Sequence, residues 1–396
     1  MNLEEINTPQ SKKFIQENIN TPVEELLLGA KKYPDLNIPL LVAQIEGRNK
    51  AKKKLPSWFE NTEIIYPIKL SMEQCSSEIS ANYKASIVNG TKLIDLTGGF
   101  GVDSVAFAKK ITQVIYIERN EELAEITKHN FKILKINNVE VLNTNSENFV
   151  QSYQGKLDWI YIDPARRKEG SKVFRFTDCE PDVLSLQEDF FKIADKILIK
   201  TSPLLDIDQA IKELKYVSAV HVVAVENECK ELLFVLEKGF EKEAEIIAVN
   251  IRKNNYEDEF RFSRSEELKS IVKFDLPQNY LYEPNAPILK AGAFKSIASK
   301  TGLSKLNGSS HLYTSDECLR DFPGRIFSVK KIVKYSKKEI LEEIPEGKAN
   351  ITVRNFPDSV ELIRKKTGLK DGGFVYLFAT KDLNDKPIIL LTEKIN

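Results

Sequence analysis

The sequence predicts an α/β fold: a parallel sheet with helices on both faces, preceded by a helical N-terminal region and followed by a small C-terminal α/β module. Three observations carry this. Between residues 92 and 201, short apolar runs alternate with helix-like stretches such as Glu121 to Lys135, the pattern of strand–helix–strand units. Each run ends in polar residues, so successive strand ends bring their polar groups to one edge of the sheet. And 396 residues exceed what a single hydrophobic core usually serves.

In order along the chain, residues 1–78 read as helical. Thr21-Pro22 before Val23-Glu24-Glu25-Leu26 offers a capping hydroxyl, a proline in the first turn and acids at the positive end of the dipole. Lys50 to Lys54 reads as a basic turn before Pro56. Residues 79–240 carry the sheet. Its first strand, Leu93-Ile94-Asp95-Leu96, runs into Thr97-Gly98-Gly99-Phe100-Gly101 and a helix start. Glycines there let the backbone turn sharply and lie against a ligand, and the helix start offers free N–H groups. A second strand, Val114 to Ile117, ends in Glu118-Arg119. A carboxylate at that tip is placed to accept from the two hydroxyls of a ribose. A third, Val139 to Leu142, ends in Asn143-Thr144-Asn145-Ser146. The fourth, Leu157 to Ile162, ends in Asp163-Pro164-Ala165-Arg166-Arg167, and the fifth, Lys196 to Lys200, in Thr201-Ser202-Pro203. Ala219 to Val225 and Glu231 to Leu236 read as a closing hairpin, 241–279 as a linking segment, and 280–322 and 323–396 as two C-terminal pieces.

Three cofactor classes use such a layout. A P-loop needs Gly-Lys-Ser/Thr, which does not occur here. A nicotinamide site favours Gly-x-Gly-x-x-Gly/Ala, and here the third position is Ser104. The Asp-Pro-Ala-Arg-Arg run has no role in dinucleotide binding.

The motif Asp95 to Gly101, the acid Glu118 and the run Asp163-Pro164-Ala165-Arg166 together resemble the first, second and fourth motifs of class I S-adenosylmethionine-dependent methyltransferases, a Rossmann-like sheet. Thr97 stands where that family usually has glycine, and Ala165 where nucleic-acid enzymes have a second proline. The wider run to Glu180-Pro181-Asp182, with Leu70 to Glu78 ahead of the sheet, is similar to a bacterial group that carries a ferredoxin-like piece and a THUMP-like domain at its C-terminus. The resemblance implies S-adenosylmethionine as cofactor. It implies Asp95, Thr97, Gly99 and Gly101 at the methionine end, Glu118 and Arg119 at the ribose, and Asn145 and Ser146 at the adenine. Gln74, Ser76 and Ser77 either cover the methionine carboxylate or cap the helix that follows. Asp163 would accept from, or deprotonate, a target nitrogen, with Pro164 turning the chain beside it. Arg166 and Arg167 either grip a phosphate or base edge or pair with Glu169 or Asp182. Lys200 lies near the site or is a solvated strand end.

THUMP domains bind structured RNA, so the resemblance implies tRNA or rRNA as partner. Charge agrees: residues 284–396 carry 20 Lys plus Arg against 13 Asp plus Glu in a chain of net charge zero. The excess is the footprint of a nucleic-acid module or of solvated lysines. Arg364-Lys365-Lys366 at a helix end is the candidate phosphate contact. Four scattered cysteines without Cys-x-x-Cys exclude a strong metal signature and suit a reducing cytoplasm. No cysteine is placed after the fourth or fifth strand for pyrimidine C5 chemistry, apart from Cys179, sixteen residues beyond Asp163. A purine nitrogen is therefore the expected target. A small-molecule or protein methyltransferase, and an RNA-binding protein with a relic cofactor site, are the alternatives.

Overall fold

The computed structural model describes residues 3–166, 176–253 and 257–395. The chain divides into two compact units: Met1–Ser218 with Leu232–Lys242, and Ala219–Glu231 with Glu243–Asn396.

The first unit opens with seven helices: α1 (Leu3–Asn7), α2 (Pro9–Glu17), α3 (Val23–Leu28), α4 (Ile38–Lys54), α5 (Pro56–Phe59), α6 (Lys69–Gln74) and α7 (Glu78–Ile87). Phe14, Leu26, Ile38, Leu41, Val42 and Ile45 pack α2, α3 and α4 together. Lys50 to Lys54 is the last turn of α4, not a loop; three lysines there suit the negative end of the helix dipole. Thr21 does not cap α3, whose N-cap is Pro22.

The sheet strands are β1 (Lys92–Asp95), β2 (Gln113–Glu118), β3 (Val139–Asn143), β4 (Leu157–Ile162), the two-residue pair β5 (Ala165–Arg166) and β6 (Cys179–Glu180), and β7 (Ala194–Thr201). After β8 (Val217–Val225) comes β9 (Glu228–Glu237). In this unit the order is β9-β7-β4-β1-β2-β3. All neighbours are parallel except β9, which is antiparallel to β7. The helices α8 (Val102–Ala108), α9 (Glu121–Ile133), α10 (Ser146–Ser152), α11 (Val183–Ile193) and α12 (Ile207–Glu213) connect them. The chain leaves β1 toward β2 on one side, and the path from β4 leads to β7 on the other, so the order reverses between β1 and β4. Ligands of open α/β sheets bind at the carboxyl ends of strands at such a point. Glu226 and Asn227, both at positive φ, make a two-residue hairpin turn from β8 to β9, shorter than the Glu226 to Lys230 turn the sequence predicted, because β9 begins at Glu228.

In the second unit, the segment read as linking folds into strands. β10 (Glu245–Ile251) pairs in parallel with β8, and β11 (Glu257–Phe262) pairs antiparallel with β10, ahead of α13 (Arg264–Lys269). Then come β12 (Tyr280–Pro284), α14 (Ala286–Ala291), α15 (Ser296–Thr301), β13 (Ser304–Lys305), β14 (Tyr313–Ser315), β15 (Gly324–Val333), α16 (Lys337–Glu343), β16 (Asn350–Val353), α17 (Val360–Thr367), β17 (Val375–Lys381) and β18 (Pro387–Lys394). The two C-terminal pieces share one sheet, ordered β13-β14-β12-β15-β18-β17-β16. The long strand β15 joins them: Gly324 to Ser328 pair with β12, and Phe327 to Val333 with β18. Among the described residues no helix is long and apolar enough to cross a membrane.

Candidate active site

The glycine turn after β1 is built by three kinds of contact. Asp95 is fully buried. One of its oxygens accepts from the Thr97 N–H at 3.1 Å and the other from the Ser104 hydroxyl at 2.6 Å, so it ties the turn to α8. Gly98 and Gly101 are packing positions. A Cβ on Gly98 would lie 2.1 Å from the Tyr116 ring, and one on Gly101 2.6 Å from Thr127 and 2.8 Å from Phe131. Gly99 differs: at φ +55° its Cβ would meet only the Thr97 carbonyl at 3.8 Å, leaving its face open. Phe100 is buried against Trp58 and Tyr66, with ring centroids at 4.9 and 6.1 Å. The N-terminal helical region thus braces the turn from behind.

Glu118 ends β2 beside this turn. Its Oε2 accepts from the Gly99 N–H at 3.0 Å and its Oε1 from the Asn120 N–H at 2.8 Å. A carboxylate has about four acceptor sites, so two bonds remain for a diol. From β4, the Asp163 N–H donates to the Thr97 hydroxyl at 2.7 Å. Thr97, the departure from the glycine pattern, therefore clips the fourth-strand motif to the glycine turn, a bond glycine could not make. Lys200, at the end of β7, pairs with the Asp163 carboxylate. Its side chain is 14% exposed, so it belongs to the site and is not a solvated strand end.

Beneath these lies a cluster that sequence reasoning missed. Lys84 of α7 is completely buried and pairs with Asp103 of α8 at 3.1 Å. Tyr161 and Ser76 donate to the other Asp103 oxygen, each at 2.8 Å. Burial pushes the Asp103 carboxyl up, but the charges of Lys84 and Lys200 and these hydrogen bonds outweigh it and hold it below the usual range. Lys54, at the end of α4, donates to the Met72 and Glu73 carbonyls at 2.9 and 2.8 Å. Burial lowers its pKa, partly countered by Cys75, with Lys200 adding to the fall. Burial also raises the Cys75 thiol, which disfavours the thiolate that nucleophilic chemistry needs.

Several candidate residues also make local contacts. Asp95 has no exposed face and shapes the turn from within. Asn145 accepts from the Asn148 N–H at 2.7 Å as the cap of α10, and Ser146 donates to the Leu96 carbonyl at 2.7 Å. These groups are used in local structure because Asn and Ser at a helix start satisfy its orphan N–H groups and nearby carbonyls. Ser77 caps α7 through the Ser80 N–H. Gln74 is exposed at the end of α6. Arg119 pairs with Glu180. Pro164 is buried. Arg167 and the Arg166 side chain lie outside the described residues. Cys179 is fully buried and so cannot reach a substrate. In the second unit, Arg364 pairs with Asp371 and Lys366 with Asp358, whereas Lys365 is exposed.

The burial of Asp95 has a measurable consequence. Desolvation is the largest influence on its carboxyl and pushes it up to about 7, against about 4 in an unfolded chain. The folded state therefore holds the proton more tightly. Stability from this group is fully present below pH 4 and is lost as pH rises through 7, by about 4 kcal/mol in all. Asp95→Asn keeps the shape and one acceptor without the charge. Its melting temperature is expected to fall less than that of the wild type between pH 4 and 8; parallel profiles would remove Asp95 as the cause.

Comparison with known proteins places this geometry. A family model described as conserved hypothetical protein 95 matches residues 71–177, a ferredoxin-like domain matches 280–323, and a THUMP domain-like model matches 324–394. A crystal structure described as a "putative methyltransferase", from Porphyromonas gingivalis W83, is 33% identical. It matches over 100% of this chain and 99% of its own, with a TM-score of 0.89. The fold is that of a methyltransferase. The chain belongs to the methyltransferase family of the Porphyromonas protein, with ferredoxin-like and THUMP-like domains at its C-terminus. A Thermotoga maritima protein named "Uncharacterized RNA methyltransferase" is 25% identical over 114 residues, 26% of this chain. The chain spans about a quarter (26%) of that relative's length.

Proposed function

We propose that the protein transfers a methyl group from S-adenosylmethionine to a purine nitrogen of structured RNA, a tRNA or rRNA. The observation that carries the reading is the clip between Thr97 and Asp163. It ties a partly exposed carboxylate to the same turn whose open face is Gly99. A cofactor cradled on the turn and a nucleophile meeting Asp163 are then held next to each other, and alignment of reactants is most of what such a reaction needs.

The fit of the cofactor rests on the chain itself. Gly99 leaves a cradle that any side chain would fill, and Glu118 keeps acceptor capacity at its rim. When bound, S-adenosylmethionine supplies a sulfonium-activated methyl group. Glu118 would hold the ribose hydroxyls. Asp163 would accept a hydrogen bond from the target amine and take up its proton, and Lys200 would hold that carboxylate in place. RNA is favoured by the THUMP domain-like match, the name of the Thermotoga relative and the basic excess of residues 284–396. The nitrogen is favoured because neither Cys75 nor Cys179 is disposed to act as the nucleophile that carbon methylation requires. Cytoplasmic localisation follows from the same reading.

Nucleosides from total RNA of a deletion strain and its parent, compared by mass spectrometry, test this. One methylated purine is expected to disappear and to be restored by purified protein with S-adenosylmethionine. Unchanged RNA, with methyl transfer to a small molecule or protein instead, would overturn the RNA assignment.

A further inference from the structure

The C-terminal module presents one large aromatic side chain almost entirely to solvent. Phe374 is 87% exposed, whereas the other phenylalanines of the same sheet, Phe327 and Phe378, are fully buried. The backbone that presents it is specified. Gly372 and Gly373 precede it at φ +96° and +82°, conformations that favour glycine. A Cβ on Gly373 would also stand 3.2 Å from the Lys348 carbonyl. Asn350 donates to the Gly373 carbonyl at 2.9 Å, and the backbones of Gly347, Ala349 and Lys370 are joined by two further hydrogen bonds. The tip is thus latched to the segment before β16, and Phe374 is held out from it at the start of β17.

The exposed charges of this turn left without an ion-pair partner among the described residues are positive. Lys348 and Lys370 are bridge partners on neighbouring backbones. Both are exposed, and neither has an ion-pair partner among the described residues. The one acid of the turn, Asp371, is taken up by Arg364. An exposed π-face on a turn that also carries unneutralised lysines matches single-stranded nucleic acid, in which unstacked bases alternate with phosphates. A protein partner would ask for a wider apolar surface around the ring; here Gly372 and Gly373 precede it, and Val375 after it packs against the core.

We propose that Phe374 is a stacking platform for an unpaired base of the RNA, with Lys348 and Lys370 contacting the flanking phosphates. This rests on the RNA reading above and adds to it that the module requires an unpaired nucleotide. Specificity toward the base is low at this position, because every base has a π-face.

The test uses the full-length protein and two synthetic RNAs, a blunt hairpin and the same hairpin with a single-stranded adenylate tail. Phe374→Ala is expected to weaken binding of the tailed hairpin about tenfold and to leave the blunt hairpin unaffected. Phe374→Trp is expected to retain wild-type affinity. Its indole is the sole exposed one, since Trp58 and Trp159 are buried, so its fluorescence should be quenched as the tail binds. Changing Lys348 and Lys370 together to Gln should reduce the salt slope by about 1.4 for two single-strand phosphates. If the wild type binds the tailed hairpin and Phe374→Ala binds it equally well, the stacking proposal is overturned while the RNA reading stands. Equal losses on both hairpins would likewise overturn it. If the wild type binds neither RNA, the RNA reading falls and this proposal with it.

Discussion

Asp163→Ala is expected to lower methyl transfer about a thousandfold while cofactor affinity stays within a few-fold of wild type. The side chain lies at the carboxyl end of β4, 34% exposed, and pairs with Lys200. Its backbone N–H, not its carboxylate, makes the bond to Thr97, so the mutation leaves the glycine turn anchored. An interaction made only as the nucleophile reacts lowers turnover and not cofactor binding. Single-turnover rates beside calorimetric affinities separate the two. Thr97→Val supplies the contrast: it removes the clip and keeps the carboxylate, so a smaller loss, about tenfold, is expected from poorer alignment. Full turnover in Asp163→Ala would make the residue structural and sink the assigned chemistry.

What the sequence shows of this fold follows from how much of each element's environment is local. The centres of strands β1, β2, β4 and β7 are buried on both faces, so Leu93–Ile94, Val114–Ile117, Trp159–Ile162 and Ile197–Ile199 read as apolar runs. The glycine turn is legible because backbone conformation and close approach leave few residue choices. The Lys84–Asp103 pair was not legible. A lysine in a helix normally reads as solvated, and its partner Asp103, with the Tyr161 hydroxyl that donates to Asp103, comes from an element distant in sequence. The ion pairs of residues 364 and 366 were not legible for the same reason. Their basic run is plain in sequence, but the acids that neutralise Arg364 and Lys366 sit at Asp371 and Asp358, offsets set by the turns around α17 and not by helical spacing. Asn145 shows the converse. Its position before Ser146-Glu147 is a recognisable cap, and the resemblance to a ligand position masked a local signal that was present. The strands β10 and β11 were read as linking because charge dominates the stretch that joins them, although Ile246 to Ile251 is buried throughout and apolar except at Asn250, whose side-chain oxygen accepts from the Asn227 N–H.

The second large effect separates the three glycines of the turn by what their missing side chains make room for. Gly99→Val is expected to abolish measurable binding of S-adenosylmethionine at a small cost in stability. A Cβ there meets no atom beyond its chain neighbours nearer than 3.8 Å, so the side chain starts into the space proposed for the cofactor, and the strain is that of one residue at φ +55°, about 1–2 kcal/mol. Gly101→Ala is expected to act on the fold instead. It combines φ +78° with contacts of 2.6 to 2.8 Å to Thr127 and Phe131, so about 3 kcal/mol of stability should be lost from overpacking and strain together. Gly98→Ala meets the Tyr116 ring at 2.1 Å, and Tyr116 cannot move without breaking its hydroxyl bond to the Gly99 carbonyl. Calorimetry with S-adenosylmethionine and with NAD, beside thermal unfolding of each variant, reads both effects. Wild-type affinity in Gly99→Val, or NAD binding where S-adenosylmethionine gives none, would count against the proposed cofactor site. A melting temperature unchanged in Gly101→Ala would count against the packing argument alone, because that argument rests on Thr127 and Phe131 of α9 and not on any ligand.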